Sequence, residues 1–255
     1  MSETKYVNSS LEKSLRVLKL FGPETQHLSL SEIARLIDAT PGGLYPIIQT
    51  LLKHGFLERD PDSKHYRLGL AILERANHVL SSLDVRERAK PVLKRLANEL
   101  QVNAHLAVRY ENEVLYVDRE EASSGVVFPS IIGRRVPLHC TALGKVFLAS
   151  DPATCEEEIA KLDLLQVTPK TIATSKGLRA ELEAVHEQGY AIDDEEFHLG
   201  QLCIGAPVID YQGRVVAAIS ISLARARLEM EPLKGFIDEV VRGGVNLSRS
   251  IGYTG

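Results

Sequence analysis

Cysteine and histidine are the residues of this chain that could act as nucleophiles or metal ligands. His139 and Cys140 are adjacent, and Asp193 lies further along the chain. Adjacent residues in an extended segment point to opposite sides, and nothing in the sequence orients a base toward the thiol, as a Cys/His nucleophile requires. A zinc site made of His139, Cys140, His198 and Cys203 lacks the usual ligand spacing. We therefore predict no enzyme, no metal site and no bound cofactor.

Three short helices and a hairpin account for residues 1–70. Apolar residues recur at helical spacing in three segments, each with its own start or stop signals, at residues 11–21, 30–37 and 44–55. In the first segment Leu11, Leu15 and Leu18, with Val17 and Phe21, form one apolar helix face. Two short strands, 56–59 and 64–68, then flank a polar turn. This order is typical of a winged helix-turn-helix.

The remainder of the chain mixes helices with strands, which predicts an α+β fold with an antiparallel sheet. Residues 71–102 are mostly helical and are interpreted as linker helices, with Asp84 as a cap, and a second domain covers 103–255. Strands are expected at 105–110, 114–119, 203–210 and 214–223, and helices at 141–149, 153–162, 178–188 and 232–251.

Charge and hydropathy limit the class of protein. Residues 1–100 hold 15 basic and 12 acidic side chains, whereas the remainder holds 15 and 22. The mildly basic part is therefore the N-terminal one, which is the half predicted to meet nucleic acid. No apolar run approaches the length of a membrane span, and the three cysteines form no disulfide framework. We expect a cytoplasmic protein with no membrane partner.

The third helix is the expected DNA-reading element, because in a helix-turn-helix this helix lies in the major groove. Gln49 can make a bidentate contact to adenine, and Tyr45 can reach a base edge or a phosphate. The alternative is that both side chains only solvate an exposed face. Phosphate contacts are expected from basic side chains on the wing and on the first two helices, namely Lys64, His65, Arg67, Arg35 and Lys13.

Two glycines and a proline disturb this third helix. A proline in a helix interior destabilises the helix by about 3 kcal/mol, because it removes one backbone hydrogen bond and clashes with the carbonyl four residues earlier. If the helix begins near Leu44 or Tyr45, Pro46 falls in its first turn, where its missing amide has no intrahelical partner. We therefore predict a shortened recognition helix preceded by a flexible turn at Gly42 and Gly43.

Two long segments carry a resemblance to a known family. The segments GRRVPLHCTALGKVFLAS (133–150) and GYAIDDEEFHLGQLCIGAPVIDYQGRVVAAISIS (189–222) resemble the two signature regions of IclR-type bacterial transcriptional regulators. The resemblance implies an N-terminal winged helix-turn-helix, a linker helix and a C-terminal GAF-like effector-binding domain, assembled as homodimers or homotetramers. Within the family, IGRRVPL, ALGKVFLA and RSIGYTG most resemble the KdgR-like branch, which responds to the sugar acid 2-keto-3-deoxygluconate.

The resemblance also bears on DNA recognition. The recognition helix of this family commonly carries Ser, Thr and Arg where this chain has Gly42, Gly43 and Pro46. An arginine that contacts DNA is therefore missing. We expect an operator whose sequence differs from those usual in the family.

The resemblance also implies the positions of an effector pocket with one apolar and one polar side. The apolar wall consists of Phe128, Val136, Ala142 and Leu143. The polar side consists of Asp193, Cys203, Ser220 and Ser222. The two serines are two residues apart on a strand, so their hydroxyls share a face. The helix start after Thr141 offers amides to a carboxylate, and Asp193 accepts hydrogen bonds from ligand hydroxyls. This chemistry suits a small oxygen-rich acid. The alternative is that the serines face solvent.

The sequence as a whole predicts an effector-responsive regulator that represses a catabolic operon for sugar acids or related carboxylates. A dimer is expected on a pseudo-palindromic double-stranded DNA operator, with residues 71–100 as the coupling element. One alternative is a small-molecule sensor that has lost specific DNA reading and acts through a protein partner. A further alternative is that the second domain is an enzyme that turns over its ligand. Loss of that activity in Cys140→Ala would support this alternative.

Overall fold

The structure is a computed structural model that describes residues 8–22, 24–82, 84–122 and 131–254. The chain divides into two compact units, residues 1–82 and 83–255. The three-part division into a DNA-binding domain, linker helices and an effector domain stays a prediction. Among the described residues, no helix has the length and apolar character needed to cross a membrane.

The N-terminal unit is a winged helix-turn-helix. Its elements are α1 (Ser9–Lys19), α2 (Leu30–Leu36), α3 (Pro41–Lys53), β1 (Leu57–Arg59), β2 (Tyr66–Leu68) and α4 (Ala71–Ser82). The strands β1 and β2 pair antiparallel, and Leu28 forms a further bridge to Tyr66. The buried core joins the three helices to the hairpin and contains Val17, Leu28, Ile33, Ala34, Ile37, Leu44, Ile48, Leu51, Leu57 and Tyr66.

Helix α1 buries only part of the apolar residues that the spacing assigns to one face. Leu11 and Leu15 are 60% and 50% exposed, whereas Val17 is fully buried. Val17 lies about 200° around the helix from Leu15, so the two residues occupy opposite sides. Of the predicted apolar residues, Val17 therefore lies in the core and Leu18 and Phe21 pack against it, whereas Leu11 and Leu15 do not, because spacing alone does not show which side of a short helix meets the core.

Helix α3 begins at Pro41, so the prediction of a start near Leu44 or Tyr45 was wrong. Thr40 is extended, and its hydroxyl accepts the amide of Gly43 at 3.2 Å. A threonine cap followed by proline at the first helical position is a strong start signal, and it acts three residues earlier than expected. Pro46 consequently lies inside the helix.

Helix α3 tolerates Pro46 because the residue one turn earlier is the exposed Gly42. The carbonyl that Pro46 leaves without its intrahelical donor belongs to Gly42, which is exposed to solvent. Water can therefore bind this carbonyl. The glycine backbone is also the most able to shift away from the proline ring.

The C-terminal unit is an antiparallel sheet with helices on both faces. Its strands are β3 (Asn103–Tyr110), β4 (Glu113–Glu120), β5 (Arg135–Pro137), β6 (Ala191–Asp194), β7 (Gln201–Ile209) and β8 (Val215–Ala224). Its helices are α5 (Asp84–Leu100), α6 (Ala142–Leu148), α7 (Cys155–Ala160), α8 (Ser175–Gln188) and α9 (Leu233–Ser250), with a 3₁₀ helix at Arg225–Glu229. The sheet order is β5-β4-β3-β8-β7-β6. The predicted α+β class with an antiparallel sheet is confirmed.

Close backbone contacts fix α9 and α6 on the two faces of the sheet. A Cβ on Gly244 of α9 would lie 2.8 Å from the carbonyl oxygen of Pro207 on β7. A Cβ on Gly205, also on β7, would lie 3.0 Å from the backbone of Ala142 on α6. Glycine therefore permits each helix to approach the strand. Helix α9 runs without a break through Gly243 and Gly244 because the sheet supports it.

Candidate DNA-reading helix and effector cleft

Helix α3 presents a polar face opposite its buried one. Leu44, Ile48 and Leu51 are buried in the core of the N-terminal unit. Tyr45 is 52% exposed, and Gln49, one turn further on, is exposed on the same face. The helix thus offers both side chains to a partner, and their role in DNA reading stays a prediction.

The basic residues expected to contact phosphate are exposed or partly exposed, but those of the wing have partners within the chain. Arg67 donates to the carboxylate of Glu58 at 2.9 and 3.1 Å. The ammonium of Lys64 donates to the carbonyl of Pro61, and His65 Nδ1 lies 3.0 Å from the carbonyl of Ser63. Surface pairs of this kind contribute little free energy, so a phosphate can replace the glutamate at small cost. The other two predicted contacts, Arg35 on α2 and Lys13 on α1, are exposed.

One cleft in the C-terminal unit brings together the described residues that were predicted to bind an effector. These are Val136, Ala142, Leu143, Asp193, Cys203, Ser220 and Ser222. Phe128 lies outside the described residues. The free volume of the cleft is about 30 Å³. That space holds a few water molecules, so a sugar acid must displace side chains on entering.

Strand register places the polar groups side by side. Across β6, β7 and β8, Asp193 is opposite Cys203, and Cys203 is opposite Ser222. Across β8 and β3, Ser220 is opposite His105. Because alternate residues of a strand share a face, these side chains line one floor of the cleft.

The two serines do not face solvent, so that alternative is wrong. Ser220 and Ser222 are 2% and 4% exposed. They alternate with Ile219 and Ile221, which are also fully buried, because helices cover both faces of the sheet. Ser220 and Ser222 therefore lie on the α6 side, together with Ala218, and the isoleucines lie on the α9 side.

Asp193 is the buried acid of the cleft. Burial, reinforced by the nearby carboxylate of Glu196, raises the pKa of Asp193 to about 7. Its Oδ1 accepts the amides of Glu196 at 2.7 Å and Phe197 at 3.3 Å, which partly opposes that rise. Near neutral pH the side chain is therefore a mixture of carboxylate and carboxylic acid, able to accept or to donate a hydrogen bond.

The remaining titratable groups of the floor are neutral at physiological pH. Burial, followed by the charge of Arg119, lowers the pKa of His105 to about 4, and its Nδ1 lies 3.5 Å from the hydroxyl of Ser220. Burial raises the pKa of the Cys203 thiol well above its usual range, and its sulfur lies 3.4 Å from the hydroxyl of Ser222. The floor therefore offers neutral donors and acceptors.

The arrangement around Cys140 does not suit nucleophilic catalysis. Burial raises the pKa of the Cys140 thiol to about 12, so it is not a thiolate at neutral pH. His139 Nε2 lies 2.9 Å from the carbonyl of Leu165, away from any role as a base toward this thiol. Within the described ranges, no group of three or more His, Cys, Asp or Glu side chains is placed to hold a metal ion.

Other residues of the cleft were not predicted as site residues from the sequence. They are His105, Tyr116, Arg134, Thr141, Phe197, His198 and Gln201, of which Thr141 was proposed only as a helix start. A polar side chain inside an apolar strand, as with His105 in β3, was the available signal. Arg134, Phe197 and His198 lie in loops, where no periodicity shows which way a side chain points.

Comparison with known proteins places both units in one family. The family model described as "Bacterial transcriptional regulator IclR C-terminal" matches residues 77–249, and the "IclR helix-turn-helix domain" matches residues 10–61. The chain is 33% identical to the HTH-type transcriptional regulator XynR of Escherichia coli K12, over 96% of this chain and 97% of that protein. It is 28% identical to KdgR of the same organism, over 96% and 93%.

Solved structures agree with these relatives. The crystal structure of Thermotoga maritima IclR is 30% identical, with a TM-score of 0.79, and the match covers 96% of this chain and 99% of that one. A transcriptional regulator from Rhodococcus sp. RHA1 is 27% identical, with a TM-score of 0.85 and coverage of 96% and 98%. KdgR is one of several relatives with comparable likeness, so the comparisons do not single out the KdgR-like branch.

Proposed function

The chain belongs to the IclR family of transcriptional regulators, and from this premise we propose that it is an effector-responsive repressor of a catabolic operon. The proposed effector is a small sugar acid or a related carboxylate, bound in the cleft of the C-terminal unit. The proposed target is a pseudo-palindromic double-stranded DNA operator. The regulator acts as a homodimer or homotetramer.

The make-up of the cleft is the observation that carries the effector proposal. Two buried serine hydroxyls, a neutral histidine and an acid of raised pKa line a space with apolar groups on its other side. Arg134 supplies a cationic group in the same lining. A small molecule with several oxygens and one negative charge matches these groups better than an apolar ligand would, because buried polar groups need partners.

The coupling from the effector to DNA passes through residues 71–100. Helix α4 ends the N-terminal unit, and α5 begins the C-terminal one. An effector changes operator affinity only if it binds one arrangement of the DNA-binding units more tightly than another. A repressor that is released by its effector therefore requires an effector-bound arrangement that fits the operator poorly.

An electrophoretic mobility shift tests the proposal. The full chain is titrated against DNA from upstream of its own gene, with unlabelled competitor DNA and at several salt concentrations. The expected result is a specific shift that 2-keto-3-deoxygluconate or a related acid reverses. A specific shift that no sugar acid or small carboxylate changes would overturn the effector part while leaving the DNA-binding part intact.

A second candidate is a sensor that acts through a protein partner, and Pro46 is the observation that favours it. Pro46 stands inside α3, next to Tyr45 on the exposed face, where the family commonly has an arginine. If the folded protein binds an acid but shifts no neighbouring promoter above the level of random DNA, this candidate replaces the first.

A further inference from the structure

Lys145 is a buried cation outside the lining of the effector cleft. Its side chain is 1% exposed, although it carries an ammonium group. It lies on α6, one turn after Thr141, and its amide donates to the carbonyl of Thr141 at 3.0 Å. The first residues of α6 line the cleft, whereas Lys145 points away from it toward α8 and β6. A lysine is almost never found this deeply buried unless it is paired.

All three ammonium hydrogens of Lys145 have acceptors, and the acceptors come from three separate parts of the domain. The ammonium donates to Glu181 of α8 at 2.8 Å, to the carbonyl of Ile192 on β6 at 2.6 Å, and to Glu196 in the loop 195–200. An ammonium has three donors and no acceptor, so this set is complete. One side chain thus connects α6 to the strand and the loop that carry Asp193, Phe197 and His198 in the lining of the cleft.

The loop 195–200 transmits this connection to the cleft. The amide of Glu196 donates to Asp193 Oδ1 at 2.7 Å, and the amide of Phe197 donates to the same oxygen at 3.3 Å. The next residue, His198, also lines the cleft with Phe197 and Asp193. A shift of Glu196 therefore also moves Asp193, Phe197 and His198, which line the cleft.

Glu196 depends on Lys145 more than on its other neighbours. Its Oε2 is buried and has no hydrogen-bond partner among the described residues. Burial raises the pKa of Glu196; the charge and the hydrogen bond of Lys145 oppose that rise, and the backbone amide of Ile172 opposes it less. The neighbouring ion pair of Lys170 with Glu195 lies at the surface, where such pairs contribute little. The hydroxyls of Thr168 and Thr171 donate to the backbone carbonyl of Glu196 rather than to its carboxylate, and Thr168 also donates to the carbonyl of Glu195.

We propose that Lys145 is a positioning residue for the effector cleft, which holds α6, β6 and the loop 195–200 at the separation that lets Asp193, Phe197 and His198 meet the effector. This inference rests on the proposed effector role of the cleft. A stabilising role alone does not account for the arrangement. When well-packed apolar residues replace both members of a buried ion pair, the free energy of unfolding is often unchanged or higher. Lys145 touches no effector in this proposal; it acts through Glu196.

The test compares Lys145→Met with Glu181→Gln in the full chain. Glu181→Gln is the matched control, because it removes the one charged partner of Lys145 that lies on α8 and outside the loop. Backbone hydrogen exchange is measured without any effector, and binding of 2-keto-3-deoxygluconate, D-gluconate and pyruvate is measured by calorimetry. The double variant Lys145→Met/Glu196→Gln carries the same test if the single variant does not fold, since it also removes the charge of Glu196, the most buried partner of Lys145.

In Lys145→Met, exchange at residues 195–198 is expected to rise about tenfold and effector affinity to fall about tenfold, with α8 unchanged. Glu181→Gln is expected to change both by less than about threefold. Unchanged exchange in the folded Lys145→Met or double variant overturns the inference, as does an equal effect of Glu181→Gln. If the wild type binds none of the three acids, the effector proposal fails for them, while the exchange result still decides whether Lys145 positions the loop.

Discussion

Replacement of Asp193 by asparagine tests how the cleft handles charge. The side-chain amide in Asp193→Asn keeps an oxygen that accepts the amides of Glu196 and Phe197, so the loop stays in place while the titratable proton is removed. In the wild type the pKa of Asp193 is about 7, which leaves the side chain mostly protonated at pH 6 and mostly ionised at pH 8. The variant is uncharged at both values.

Two effects of ionisation compete when an anionic effector binds. A ligand in contact with the lining of so small a cleft places its carboxylate within about 6 Å of Asp193, where repulsion between two anions is about 3 kcal/mol at an effective dielectric constant of about 20. An ionised acceptor strengthens a hydrogen bond from a ligand hydroxyl by only about 1 kcal/mol. Repulsion wins, so the protonated form of Asp193 is the one that binds an acid.

The expected magnitude follows from the fraction of Asp193 that is protonated. With a pKa of about 7, that fraction falls from about 0.9 at pH 6 to about 0.1 at pH 8, so wild-type affinity for 2-keto-3-deoxygluconate falls about tenfold. Asp193→Asn is expected to keep its pH 6 affinity at pH 8. Calorimetry at both pH values measures this. A variant with the same pH dependence as the wild type, or a wild type that binds more tightly at pH 8, would refute the reasoning.

The same substitution has a stability readout that needs no effector. The pKa of Asp193 is raised from 3.8 to about 7 on folding, so the unfolded state releases its proton first as pH rises. Stability from this group is therefore complete below about pH 4 and is lost between pH 4 and 7. Asp193→Asn is expected to be more stable than the wild type at pH 8, by on the order of a few kcal/mol, and urea unfolding at pH 4 and pH 8 checks the sign.

Three further predictions concern packing and DNA. Gly144→Ala is expected to cost about 3 kcal/mol in urea unfolding, because a Cβ would overlap the backbone of Leu138. The control is Gly235→Ala on α9, where a Cβ would enter open space, so stability is expected to stay the same or rise by up to about 1 kcal/mol. Pro46→Arg restores a backbone hydrogen bond and adds a cation on α3. Mobility shifts at several salt concentrations are therefore expected to show tighter DNA binding, with the slope of log affinity against log salt concentration steeper by about 1. Gln49→Ala is expected to lose about 1–3 kcal/mol of operator affinity in the same assay while affinity for random DNA stays constant, and an equal loss on both DNAs would argue against base reading.

Local patterns in the sequence were enough for most elements of both units. The capping box of Ser29 with Glu32 set the start of α2, and the left-handed Gly189 ended α8, because these signals act over one helical turn. Strands β5 and β6, of three and four residues, were not predicted, because so short a strand has too few alternations to be distinguished from a loop. The start of α3 was placed wrongly because the penalty for Pro46 was weighed without the compensating signal at Thr40 and Pro41.

What the sequence by itself determined was the order of most elements, the family, and the residues with suitable chemistry, because capping, periodicity and signature segments are properties of neighbours along the chain. Which of those residues meet was decided by tertiary structure alone. Asp193, Cys203 and Ser222 become neighbours through strand register, and Lys145 finds Glu196 only after α6 packs on the sheet. The raised pKa values of Asp193 and Cys203, like these contacts, depend on burial among groups distant in sequence, which spacing along one chain does not encode.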